Sequence, residues 1–266
     1  MAGEMSGVTR PEFTGSRHAA SYNLRDFGAY RTRSGAMLRQ GLLYRSGQLD
    51  VVAPEDHGLV ARLGIGEILD MRSHSELGSA PPPALEGFAG RILLASAPDG
   101  LIPHAMAGFA GMRSRQEVNA HVRKVYRALP LSPRFIESLK LLFEMLTRPE
   151  GAVLVHCFAG KDRTGLGVAI VHHAFSVHPD DAMADYLLTN AQGEERIASG
   201  IRVLRQQMPP EVSEALLREV MMVRSEYLDD ALAAINAAHG SLGAYLATHL
   251  GLDGGAIEKI AARFLV

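Results

Sequence analysis

Apolar residues in this chain follow two different periods, and the change from one to the other divides it. Four short runs, Leu42-Leu43-Tyr44, Glu67-Ile68-Leu69-Asp70, Arg91-Ile92-Leu93-Leu94-Ala95 and Ala152-Val153-Leu154-Val155, predict strands. They are too brief for helices and rich in branched side chains. Between the third and fourth runs, Phe135, Ile136, Leu139, Leu142, Phe143 and Leu146 recur at three- and four-residue spacing, the stripe of an amphipathic helix. Ser132 ahead of Pro133 reads as its N-cap and first helical position, and Pro149 as its break. Ser79-Ala80-Pro81-Pro82-Pro83 predicts a surface loop, because prolines cannot donate to a ladder. A further helix is expected from Thr164 through Val171. From Asp180 onward the pattern is helical, with breaks near Pro209-Pro210, Gly240 and Gly251. Strands alternating with helices, then helices alone, predict an α/β fold with a helical C-terminal elaboration. No internal repeat or low-complexity linker interrupts it. Residues 16–266 are therefore expected to form a single domain, with 1–15 disordered.

Composition narrows the function classes. The 266 residues are 47% hydrophobic and 21% charged, with a net charge of −2, as in ordinary soluble globular proteins. That balance argues against a general nucleic-acid-binding role. A single cysteine excludes an intramolecular disulfide framework, a CxxC motif and a Cys/His zinc cluster. MAGEMSGVTRPEF lacks the apolar core of a secretory signal, and no apolar stretch approaches the ~20 residues of a spanning helix, so stable membrane insertion is not expected. The expected compartment is the cytoplasm, although export without a cleaved signal is compatible with the same residues.

The one cysteine changes the picture most. Cys157 and Arg163 stand five residues apart in His156-Cys157-Phe158-Ala159-Gly160-Lys161-Asp162-Arg163-Thr164-Gly165, between the fourth strand and the helix from Thr164. Gly160 and Gly165 permit a sharp turn and close approach to a ligand. The N–H groups of such a loop, followed by an open helix N-terminus, form an anion cradle. A cysteine at its floor is expected as a thiolate at neutral pH. Arg163 adds a planar fork for two phosphoryl oxygens, which lysine cannot match. A nucleotide-binding P-loop does not fit: Val155 stands where its first glycine belongs, and Asp162, not Ser or Thr, follows Lys161. A lone cysteine is more often structural than catalytic, but here strand, glycines, arginine and helix coincide around it.

The loop resembles the Cys-x5-Arg signature of the cysteine-dependent tyrosine phosphatases, and its Gly-Lys-Asp core resembles the bacterial branch of atypical tyrosine/dual-specificity and phosphoinositide phosphatases. Residues 23–32, 41–49, 68–76, 185–190 and 240–252 resemble that branch in the same order. The resemblance implies a three-layer sandwich with a mostly parallel central sheet. It also implies a phosphocysteine intermediate, phosphorylated protein or phosphoinositide substrates, inorganic phosphate as product, and no metal or organic cofactor.

A general acid must protonate the leaving oxygen. The usual Trp-Pro-Asp loop is absent, since the chain has no tryptophan. Asp162, Asp99 (on a Pro-Gly turn) and Asp70 (at a strand end) remain. The resemblance favours Asp162, with Asp99 second, and Asp70 reads better as a buttress for a neighbouring arginine. In that branch Phe158, Ala159, Gly160, Lys161 and Thr164 contact substrate, and Thr164 gives its hydroxyl to the thiolate, although it reads equally well as an ordinary helix-start residue. His156 reads as orienting the loop. Lys161 as a second cation implies phosphoinositides; otherwise it is a solvated lysine. Asn23, Arg25, Asp26, Arg45 and Ser46 are assigned to turns and salt bridges. Residues 208–222 read either as a mobile lid with Leu216, Leu217, Val220, Met221 and Met222 on its inner face or, preferably, as an ordinary packed helix. Two rival functions stand beside catalysis. One is a silent phosphate-recognition module. The other, sulfur or arsenate redox transfer, is disfavoured because no partner cysteine exists.

Overall fold

The computed structural model describes residues 18–50, 52–77, 82–97, 111–148 and 151–266. Asp99, most of the proline-rich segment and the N-terminal fifteen residues lie outside these. Five strands form one sheet: β1 (Arg25–Asp26), β2 (Leu43–Ser46), β3 (Ile65–Asp70), β4 (Arg91–Leu94) and β5 (Ala152–His156), in the order β1-β2-β5-β3-β4. Among the described strands, β1 and β2 pair antiparallel and the other three pairs are parallel. β5 lies at the centre and is buried throughout, as expected for a parallel strand covered on both faces.

Strand alternation sorts the core into two layers. Val153 and Val155 of β5, with Leu43 and Leu69, face the larger cluster. Ala152, Leu154, Tyr44 and Ile68 face the smaller one. Ile65 joins the smaller cluster although it is three residues from Ile68, because the β3–β5 register shifts between Ile65 and Glu67. The smaller face is covered by short 3-10 turns and the single helical turn α1 (Leu59–Arg62). The larger face carries α2 (Arg115–Ala128), α3 (Pro133–Thr147), α4 (Arg163–Ala174) and α5 (Pro179–Ala191). α6 (Gly193–Gln207), α7 (Glu214–Met221), α8 (Ser225–His239), α9 (Leu242–Leu250) and α10 (Gly254–Ala261) complete that side.

α3 follows its sequence stripe, but Ser132 does not cap it. Its hydroxyl donates instead to the Leu129 carbonyl at 2.8 Å. The helix that was expected to begin at Thr164 starts one residue earlier, at Arg163, and is buried from Thr164 to His172. α8 and α9 end where expected, at Gly240 (φ 78°) and Gly251 (φ 70°), both in conformations that favour glycine. Leu216, Leu217, Val220 and Met221 of α7 are buried against the larger cluster.

Candidate active site

β5 delivers the site. It ends at His156, and residues 157–162 connect it to the N-terminus of α4 at Arg163. The loop's carbonyls are turned backward and held. Gln48 N donates to Phe158 O at 2.9 Å. Asn23 Nδ2 and Arg45 Nη2 both donate to Gly160 O, at 2.8 and 3.0 Å. The Lys161 and Asp162 carbonyls enter the first turn of α4, accepting from Gly165 N and Leu166 N. With its carbonyls committed behind it, the backbone presents its N–H groups forward. Among the described residues, none of the N–H groups from Phe158 to Asp162 has an acceptor. Gly160 makes this turn possible: its φ is 64°, and a Cβ there would stand 2.4 Å from Ser46 O.

Behind the loop, two buried guanidiniums share one carboxylate. Arg25 and Arg45 face one another directly across the β1–β2 pair, which on its own would repel. Asp185 of α5 lies between them, accepting from Arg45 Nη1 at 2.7 Å and from Arg25 Nε at 3.3 Å. Arg25 Nη1 also holds Asn23 Oδ1 at 2.5 Å, which aims the Asn23 amide at the loop. Asn23 itself has φ 55°, a left-handed conformation that asparagine tolerates better than most residues. At Gly165 a Cβ would lie 3.0 Å from the Tyr186 ring, so α4 and α5 pack tightly beside this network.

Cys157 is 2% exposed. Arg163 donates through Nη1 and Nη2 to the two oxygens of Glu76 at 2.6 and 2.7 Å, and through Nη1 to Met71 O at 3.0 Å, which fixes the guanidinium plane. Burial weighs against its charge, but the hydrogen bonds to Glu76 and the neighbouring Cys157 and Asp162 hold its pKa above the usual arginine value. Thr164 Oγ1 is buried and has no partner among the described residues.

Asp162 is better supported than its position suggests. Its Oδ1 accepts from Lys161 Nζ at 2.6 Å and from Tyr126 OH at 2.8 Å, and Tyr186 OH donates to Tyr126 OH at 2.8 Å. Burial, together with the Asp162 charge, raises both phenols well above their usual range, so they remain donors. Lys161 is 3% exposed, and its ammonium is given to Asp162. It is therefore not the solvated lysine that one sequence reading allowed.

Asp70 sits beside His156 in the β3–β5 register and pairs with Arg72, Nη2 to Oδ2 at 2.7 Å. Burial opposes its ionisation, but His156 and the Arg72 guanidinium outweigh it and hold the carboxyl below its ordinary value. Burial pushes His156 down, with Asp70 opposing. Its Nε2 lies 3.6 Å from Asp70 and its Nδ1 3.4 Å from Cys157 O, so the ring stands behind the nucleophile. Asp99 lies outside the described residues.

Three contributors have no role in the sequence reading, although Glu76 and Asp185 fall in segments that carry the family resemblance. Glu76 belongs to Ser73-His74-Ser75-Glu76, a capping-box pattern that conceals its second role on Arg163. Asp185 shares a buried helical face with Ala182, Tyr186 and Thr189, where a carboxylate needs partners. Tyr126 lies on α2, which the pattern did not predict.

The chain is similar to known tyrosine phosphatases. A tyrosine phosphatase family profile matches residues 17–266. A Cupriavidus necator protein named as a tyrosine-protein phosphatase is 30% identical over 240 residues, covering 87% of this chain and 82% of that one. The triple specificity protein phosphatase PtpB of Mycobacterium tuberculosis is 32% identical over 256 residues, covering 85% of this chain and 90% of its own. The crystal structure of P. aeruginosa TpbA aligns with a TM-score of 0.30 at 21% identity, over 70% of this chain and 89% of TpbA. With the profile spanning all of the described residues and two relatives matched over most of their length, the chain belongs to the tyrosine phosphatase family.

Proposed function

We propose that the chain hydrolyses phosphotyrosine in proteins through a phosphocysteine intermediate. The observation that carries this reading is the loop around Cys157, with its carbonyls tied back and its N–H groups from Phe158 to Asp162 without acceptors among the described residues. The Cys157 Sγ attacks phosphorus in line as the bond to the tyrosine oxygen breaks. Asp162 reacts in its protonated form, with Lys161 and Tyr126 on Oδ1, and gives the proton on its other oxygen to the tyrosine oxygen. The loop N–H groups and Arg163 hold the equatorial oxygens as charge builds on them. Water then attacks the phosphocysteine, Asp162 takes a proton from it, the S–P bond breaks, and inorganic phosphate leaves. Thr164 Oγ1, buried and unpartnered, is suited to donate to the departing sulfur. His156 and Asp70 act as supports.

Family membership and the tyrosine and triple-specificity names of the relatives favour a phosphotyrosine substrate. Phosphoinositides are a second class. Lys161 supports them less than its position in the sequence suggested, because its ammonium is engaged by Asp162. Parallel assays on phosphopeptides and short-chain phosphoinositides separate the two. The mechanism is tested by Cys157→Ser, measured on an aryl phosphate. Turnover should fall at least ~10³-fold with thermal stability nearly unchanged. A variant retaining a tenth of the wild-type rate would overturn the covalent route. A wild-type protein that binds phosphate without turning over any aryl phosphate would instead be a recognition module.

A further inference from the structure

Beside the loop lies a cavity of about 280 Å³, bounded on one side by Phe158 and Ala159 and on the other by α6. Arg196 of α6 lines it and is 4% exposed. Its Nη2 donates to Met221 O at 2.9 Å, while Nε and Nη1 have no partner among the described residues. Burial draws its pKa down to about 10, with the Asp162 carboxylate opposing, so the guanidinium remains charged at neutral pH. Arg25 and Arg45, by contrast, share Asp185, and Arg163 is clamped by Glu76. No carboxylate among the described residues stands within ion-pair distance of the Arg196 guanidinium, whose unpartnered nitrogens lie just under the cavity wall, and a buried charge so placed is strongly unfavourable unless something supplies a partner.

We propose that Arg196 and this cavity form a subsite for one carboxylate side chain of the substrate, so that the enzyme prefers phosphotyrosine with an acidic residue close by. The inference rests on the phosphatase reading of the Cys157 loop. The wall shared with Phe158 and Ala159 puts the guanidinium near the phosphate cradle, within reach of a neighbouring residue and not a distant one. The lining decides between anions. Val52, Val203 and Met221 suit the short aliphatic stem of Asp or Glu, and a carboxylate matches the guanidinium fork in a bidentate pair. Glu195 and Arg202 line the same cavity and offset one another, leaving the single charge of Arg196 to be matched by one carboxylate and not by a headgroup bearing several phosphates.

The test uses phosphotyrosine peptides with a single Glu at each flanking position in turn, each compared with its Gln twin. In the wild-type enzyme, at least one Glu peptide should have a KM roughly tenfold or more below its twin. In Arg196→Met that ratio should collapse toward one, and the melting temperature should rise as the unmatched charge is removed. Equal KM values for every pair, in an enzyme that turns over aryl phosphate, overturn the subsite alone and require no variant. Absence of aryl phosphate turnover overturns the phosphatase reading and the subsite with it. An unchanged ratio in Arg196→Met, or in Arg196→Gln should the first variant fail to fold, moves the preference to another group and overturns the assignment. A short-chain phosphoinositide bisphosphate whose KM alone rises in the variant would make the ligand a second phosphate and overturn it equally.

Discussion

The two sides of the Cys157 loop handle charge in opposite ways. Behind it, Arg25 and Arg45 converge on Asp185, with Asn23 tied into the same set, all of them buried. On its open side Asp162 keeps a 21% exposed side chain, and beside the loop Arg196 has two nitrogens without a partner among the described residues. The rear network holds a backbone shape, and Arg45 Nε, its atom without a partner among the described residues, is sealed from solvent. The front keeps its groups available. Substitutions behind the loop should therefore appear as lost stability, and those in front as lost turnover.

The largest effect expected from this contrast is on the rear side. Asp185→Ala leaves two buried guanidiniums facing one another, and breaking such a set costs about 3–5 kcal/mol. Urea denaturation should show that loss, with activity falling in step with the folded fraction. A change below ~1 kcal/mol would mean that the rear network is dispensable and would erase the contrast.

On the front, Asp162→Asn keeps an oxygen to accept from Lys161 Nζ and Tyr126 OH but removes the carboxylate from a 3% exposed ammonium, so turnover is to be referred to the folded fraction. The substitution should slow phosphotyrosine hydrolysis ~10²-fold or more while slowing an activated aryl phosphate far less, since a good leaving group departs without a proton. Asp99→Asn should slow both substrates little and equally. A steeper leaving-group dependence in Asp99→Asn would move the acid to the upstream loop.

The sequence displayed the centre of this arrangement better than its supports. The four apolar runs became β2 to β5 because each is a bounded, branched stretch that a covered sheet can bury. The two-residue strand β1 was not legible: Arg25-Asp26 has no strand pattern, and it pairs with β2 where Asp185 neutralises the facing arginines. α2 escaped because Val118, Val122, Val125 and Tyr126 are diluted by Arg115, Arg123, Lys124 and Arg127. With it went the hydroxyl on Asp162. Residue types carry chemistry, but ion-pair partners some 160 positions apart leave no local trace.

The smallest effect concerns acidity on the rear side. His156 is held below its ordinary value of 6.5, so on acidification the unfolded chain takes up a proton that the folded one refuses. Its share of stability is complete above that pH and is lost as pH falls through it. Asp70, held below 3.8, follows the same sign at lower pH, losing its share as protonation reaches the folded carboxyl. Melting temperature should thus decline in two stages on acidification, and His156→Gln should remove the first. A variant whose melting temperature follows the wild-type curve through both stages would show that the ring does not titrate with folding.

The bonds on Gly160 O also bear on the order of assembly. They come from residues 115 and 137 positions upstream, and the arginine making one of them is itself held by Asp185, farther along the chain. Contacts of such long separation form late, because the intervening chain must be closed before they are rewarded. During synthesis the nucleophile is therefore made well before it can act. A nascent chain can carry Cys157 and Arg163 in correct local sequence, yet the loop acquires its working shape only once α5 has emerged and docked against the N-terminal segment.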